Sequence, residues 1–115
     1  MVFELVDLES LGEQALCEFN DAVVSARAND AAHFDQAVDR LMAKVEFAYG
    51  VAAKLAQREP TLEGTEAIWA KMVAICDGIA RQIQAIEGGN VVRKASYDRL
   101  LDYRNAAEGR RELHS

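Results

Sequence analysis

Apolar residues that recur at alternating spacings of three and four predict an all-α fold, an antiparallel up-down four-helix bundle. Phe34, Val38, Leu41, Val45, Ala48, Ala52 and Leu55 make one stripe, and Trp69, Met72, Cys76, Ile79, Ile83 and Ile86 make another. At this period every member falls on one helix face, which can be buried only against other helices. Composition agrees: the chain is rich in Ala, only 7% aromatic, and holds two Thr and a single Pro, so strong helix formers dominate. The breaks between stripes are a few residues long, which makes successive helices antiparallel neighbours.

Ser10-Leu11-Gly12-Glu13 has the capping-box pattern, in which hydroxyl and carboxylate each take an orphan backbone amide. It predicts a first helix from there to about Arg27, with Ala15, Phe19, Ala22 and Ala26 inward and Leu16 and Val23 flanking. Gly12 leaves its first turn thinly packed. Residues 1–9 admit two arrangements: Leu5 and Leu8 extend the stripe, whereas Val2-Phe3 and Leu5-Val6 suit extended chain across a bundle end.

Asn29-Asp30 is the first break, with Asp30 as N-cap of a helix over about 31–58. That helix must stop before Pro60, which disfavours helical backbone at the preceding residue. Thr61 or Thr65 caps a third helix running to about Glu87, and Gly88-Gly89-Asn90 supplies a left-handed C-cap. A fourth helix covers about 91–108, with Val92, Leu100, Tyr103 and Ala107 inward; Gly109 weakens it, and residues 109–115 are expected to fray. Few pairs of opposite charge support the helices, Asp77 with Arg81 being the best oriented. At 115 residues the chain is expected to be one domain, able to bury roughly two-thirds of its unfolded surface.

The net charge of −6 is uneven, for residues 91–115 carry six bases against four acids. The acidic body disfavours nucleic acid and anionic lipid as partners. No apolar run approaches the ~20 residues of a membrane span. Glu4 stands where a secretion signal needs positive charge, so a cytoplasmic protein is expected. Cys17 and Cys76 fit neither a disulfide framework nor a zinc spacing. On the first and third helices of an up-down bundle they would be diagonal, beyond the ~7 Å reach of a disulfide.

Carboxylates are the first candidates for chemistry. Glu18 and Asp21 share a face of the first helix, Asp35 and Asp39 a face of the second. Each acid of the first pair precedes a core residue and each of the second follows one. In an antiparallel hairpin the pairs therefore line different grooves, and no metal site is expected. Glu63, Glu66 and Glu87 have the outline of the acidic motif of an all-α metal-dependent nucleotide phosphohydrolase. Glu66 and Glu87 lie about 30 Å apart at helical rise, and Asn90 stands where a final acid is needed. His33, in a first helical turn, and His114, in the tail, offer no Glu-x-x-His ligand pair. No catalytic residue, cofactor or metal is expected.

Interaction surfaces have better candidates. Tyr97, Arg104 and Arg111 lie one residue beyond the inward stripe of the fourth helix, with Arg93 a turn before. Tyrosine and arginine together are the composition of an interface hot spot. The same side chains could stack a base, or cover the groove edge and pair with acids of the first helix. Phe47 falls about 200° around its helix from Val45. With Tyr49, Val51, Ile68 and Ile75 it makes more large apolar groups than one core needs. Such surplus marks self-association or a partner, or is covered by the N-terminal segment folding over it. The expected protein is a non-enzymatic bundle acting through protein–protein contacts, as a homodimer, with Phe47, Tyr97, Arg104 and Arg111 as partner-binding residues. The alternatives are a small acidic accessory protein (immunity protein, antitoxin or secretion chaperone) and the phosphohydrolase.

Overall fold

A computed structural model of the chain describes residues 4–84 and 94–113. It is built from four helices: α1 (Leu5–Arg27), α2 (Ala31–Arg58), α3 (Leu62–Gln84) and α4 (Lys94–Leu113), with no strand among the described residues. Ile86, Glu87, Gly88-Gly89-Asn90, Val92 and Arg93 lie outside the described residues, and so does His114.

The starts of α2 and α3 fall where their caps place them. The Asp30 carboxylate accepts the His33 amide at 3.1 Å, and Asn29 turns the chain with a φ of 57°, a left-handed value that Asn tolerates. Thr61, not Thr65, caps α3: its hydroxyl accepts the Gly64 amide at 3.0 Å, while Thr65 is buried and donates back to the Thr61 carbonyl. The start of α1 differs from the expectation. The helix begins at Leu5, where the Asp7 carboxylate accepts the Glu4 amide at 2.7 Å. Ser10 stands inside the helix and its hydroxyl accepts from the Gln14 amide at 3.1 Å. The cause is burial, since Leu8 and Leu11 both enter the core and carry helix back past the Ser10 pattern. At the other end, α4 continues through Gly109 to Leu113, although fraying was expected from residue 109.

Polar contacts between helices fix their directions. Glu18 meets Arg40 and Gln14 meets Lys44, so α1 and α2 are antiparallel. Gln84 meets Tyr97, Asp77 meets Arg104 and Glu66 meets Arg111, so α3 and α4 are antiparallel too. Glu9 with Lys71 and Gly12 with Ile75 place α1 parallel to α3, and Glu46 with Arg99 and Tyr49 with Tyr103 place α2 parallel to α4. Direction alternates along the chain, as in an up-down bundle. The spatial order, however, runs α1, α2, α4, α3. Helices α2 and α3 touch across the short diagonal, whereas α1 and α4 do not approach each other among the described residues. The molecule is flattened accordingly, 49 × 29 × 18 Å.

This order corrects two expectations. Helices α1 and α3 are neighbours, not a diagonal pair; yet Cys17 is exposed, Cys76 is buried, and both are free thiols. Gly12 is also not thinly packed. It is buried where α1 approaches α3, and a Cβ there would lie 2.9 Å from Ile75 Cγ1. A side chain there would force the Ile75 side chain or the spacing of the two helices to shift.

The core joins all four helices. Leu41, Val45 and Ile79 are wholly buried and Ile83 is 2% exposed, as the stripes require. Leu8, Phe19, Trp69, Met72, Cys76 and Leu100 complete its fully buried centre. Part of the apparent surplus is absorbed here. Val51 and Ile68 are buried, and Tyr49 and Ile75 pack half-buried against the core. A helix with neighbours on two sides and across the short diagonal buries a wider arc than a single stripe.

Candidate functional site

Helix α4 presents Tyr97, Arg104 and Arg111 at seven-residue intervals, nearly two turns, so the three lie on one stripe. The structure turns that stripe onto α3. The Gln84 amide donates to the Tyr97 hydroxyl at 2.7 Å. Arg104 Nε donates to Asp77 Oδ1 at 2.9 Å, and Arg111 Nε to Glu66 Oε1 at 2.8 Å, with Glu108 at 3.4 Å from the same guanidinium. Hydrogen bonds to these carboxylates hold both arginines more firmly protonated than usual. The partners are acids of α3 rather than of α1, because α1 does not reach α4. Asp77 is thereby taken from Arg81, which instead donates to the Asp77 backbone carbonyl at 3.4 Å.

A small aromatic cluster lies beside this seam. Tyr49 stacks obliquely with Trp69 and Tyr103 at centroid distances of 5.3 and 5.5 Å, joining α2, α3 and α4. The Arg110 guanidinium sits 5.3 Å above the Trp69 ring, a cation–π contact. Beside it an open hollow of about 390 Å³ is floored by Trp69 and bordered by Gln57, Pro60 and Leu62. Cys76 lies near Arg104, with its thiol pushed up to about 12, chiefly by burial. A protonated, enclosed thiol is not a nucleophile.

The acids of α1 are engaged by α2. Arg40 donates to Glu18 at 2.7 Å and stands 3.8 Å from Asp21. Among the described residues no group of three or more His, Cys, Asp or Glu side chains is placed to hold a metal ion. Glu66, one of the three acids of the phosphohydrolase outline, belongs to the Arg111 pair. His33 Nδ1 lies 2.7 Å from the Asp30 carboxylate, and the two bonds from His33 hold Asp30 below the usual carboxylate range, the backbone one first.

Phe47 is 53% exposed on the outward face of α2. Around it an open dent of about 480 Å³ is lined by Ala43, Glu46, Phe47, Gly50, Val51 and Lys54, all on α2. Of the four residues expected to bind a partner, three are thus brought together on the α3–α4 seam and the fourth faces away from the core on α2. Gly50, Glu46 and Lys54 were not singled out by pattern alone. Their one signal was a glycine in mid-helix beside a misplaced phenylalanine.

No helix among the described residues is long and apolar enough to cross a membrane. In sequence and structure comparisons, no family model, curated protein or solved structure matches this chain.

Proposed function

We propose that this chain is a non-enzymatic helical-bundle protein that acts through protein–protein contacts, with a second copy of itself as the first partner. The observation that carries this reading is the outward face of α2. There a large aromatic ring lies 53% exposed beside a concave, mostly apolar surface. An aromatic anchor next to a dent is how interface hot spots are built. The polar groups elsewhere support the same choice, because Tyr97, Arg104 and Arg111 are each tied to α3 by a hydrogen bond, and the two arginines also to residues of α4 itself. Arginines so occupied, on a chain of net charge −6, also offer little to nucleic acid. Two free thiols, one of them exposed, fit a reducing compartment, and the cytoplasm is the location this reading carries.

Sedimentation equilibrium tests it. At about 100 μM, a contact with a dissociation constant of ~10 μM leaves the chain mostly dimeric. Phe47→Asp is expected to give a helical monomer at that concentration. A parent chain already monomeric there would overturn the reading.

A further inference from the structure

The hollow beside the α2–α3 turn is bordered by a charge that meets no carboxylate among the described residues. Arg40, Arg99, Arg104 and Arg111 each pair with an acid of another helix. Arg110 meets an aromatic ring instead, its guanidinium carbon 5.3 Å from the centre of Trp69. That contact draws on the charge and leaves the five N–H donors of the fork unspent. Among the described residues none of them has an acceptor. Glu59 also lines the hollow, but its carboxylate is committed to α3. One oxygen accepts the Thr61 amide at 3.3 Å and the Thr61 hydroxyl at 2.9 Å. Gly64 makes room for it, since a Cβ there would collide with the Glu59 carboxyl carbon. Its charge thus lies against the first turn of α3, the positive end of that helix.

The remaining walls are mostly apolar: Ala53 and Ala56 of α2, Pro60, and Leu62. Leu62 is 69% exposed, the most open of the large apolar side chains among the described residues. A hollow of about 390 Å³ with apolar walls and few polar groups has the form of a small-molecule site. We propose that it binds a small monocarboxylate with an apolar body. The carboxylate accepts two N–H groups of Arg110 side by side, the geometry in which guanidinium and carboxylate match. The body lies against Pro60, Leu62 and the two alanines. Trp69 holds the guanidinium in place beforehand, so little freedom is lost on binding. A second negative charge on the ligand would be brought up to Glu59, and a neutral ligand would leave the fork unspent. One carboxylate is therefore the class that fits. The site is independent of the dimer, for none of its residues lines the dent around Phe47.

Phenylacetate is the probe, and Trp69 reports on it, being the chain's single tryptophan. Its emission is expected to change saturably, with a dissociation constant of ~1 mM for so small a ligand. Phenylacetamide, which lacks the charge, and acetate, which lacks the body, are expected to bind at least tenfold more weakly. Arg110→Gln removes the fork at an exposed position. It should raise the phenylacetate constant at least tenfold and leave the far-ultraviolet circular dichroism as it was. Arg99→Gln removes a cation of the same helix outside the hollow, and should change the constant less than twofold. Four results would overturn the site. They are the absence of a saturable change up to about 50 mM, well above the constant expected, equal binding of phenylacetamide or acetate, an Arg110→Gln chain that binds as the parent does, and an Arg99→Gln chain weakened as much as Arg110→Gln.

Discussion

Along α2, nine side chains from Ala37 to Leu55 are buried. Along α4, the described apolar side chains buried to that degree are Leu100 and Ala107. What α4 has instead is a row of directed polar contacts to its neighbours, from Tyr97 to Arg111, with Arg99 reaching Glu46 of α2 and Arg110 covering Trp69. The two helices are parallel and adjacent, but α2 faces three neighbours and α4, among the described residues, two. Burial of each large apolar side chain stabilises by about 1.5–3 kcal/mol relative to exposure, whereas ion pairs open to solvent are each worth little. Helix α2 is therefore held by a term that salt hardly touches, and α4 by contacts whose value lies in direction and spacing. A bundle can fasten one helix by stickiness and another by registration.

The largest expected effect tests the apolar side of this contrast. Leu41→Ala in α2 or Ile79→Ala in α3 should cost about 2–5 kcal/mol in denaturant unfolding, as large-to-small core changes do. A loss below about 0.5 kcal/mol at both sites, the scale of surface substitutions, would mean that the stripes do not hold the bundle. An intermediate effect is expected where α1 meets α3. Gly12→Leu overfills the contact with Ile75 and should cost about 1–3 kcal/mol, part of which Ile75→Ala restores. Failure of that second change to recover stability would show that the helices are not separated by Ile75 alone. The smallest effect sharpens the polar side. Raising salt to about 1 M shortens the Debye length to about 3 Å, and α4 amides should then exchange hydrogen faster relative to those of α2. Arg104→Gln should shift the same ratio at low salt. Equal protection of both helices under both treatments would erase the distinction.

The same contrast explains what pattern alone could read. Helix α2 was legible from end to end: Asp30 caps it, Pro60 follows it, and its stripe stays on one side. Phe47 was legible for the same reason, since a residue opposite the stripe has nowhere inside to go. Ser10 misled because a capping box is a local pattern, while the α1 start is decided by where Leu8 and Leu11 find a core. The arginines of α4 were legible as lining a seam but not as to which seam. That choice depends on spatial order, and spatial order depends on α1 lying close against α3 at Gly12, a tertiary fact with no local trace. Val51 and Ile68 looked surplus on a single-stripe view and are core because α2 and α3 each face three neighbours.

The two cysteines give the molecule a chemical readout of its own. Cys17 meets solvent from α1, and Cys76 is sealed in the core at 0% exposure. A thiol reagent therefore titrates one group on the folded chain and two on the unfolded one. The second modification can proceed no faster than the core opens around Cys76. Alkylation stoichiometry against time thus records how often this protein breathes, without label, mutation or added chromophore.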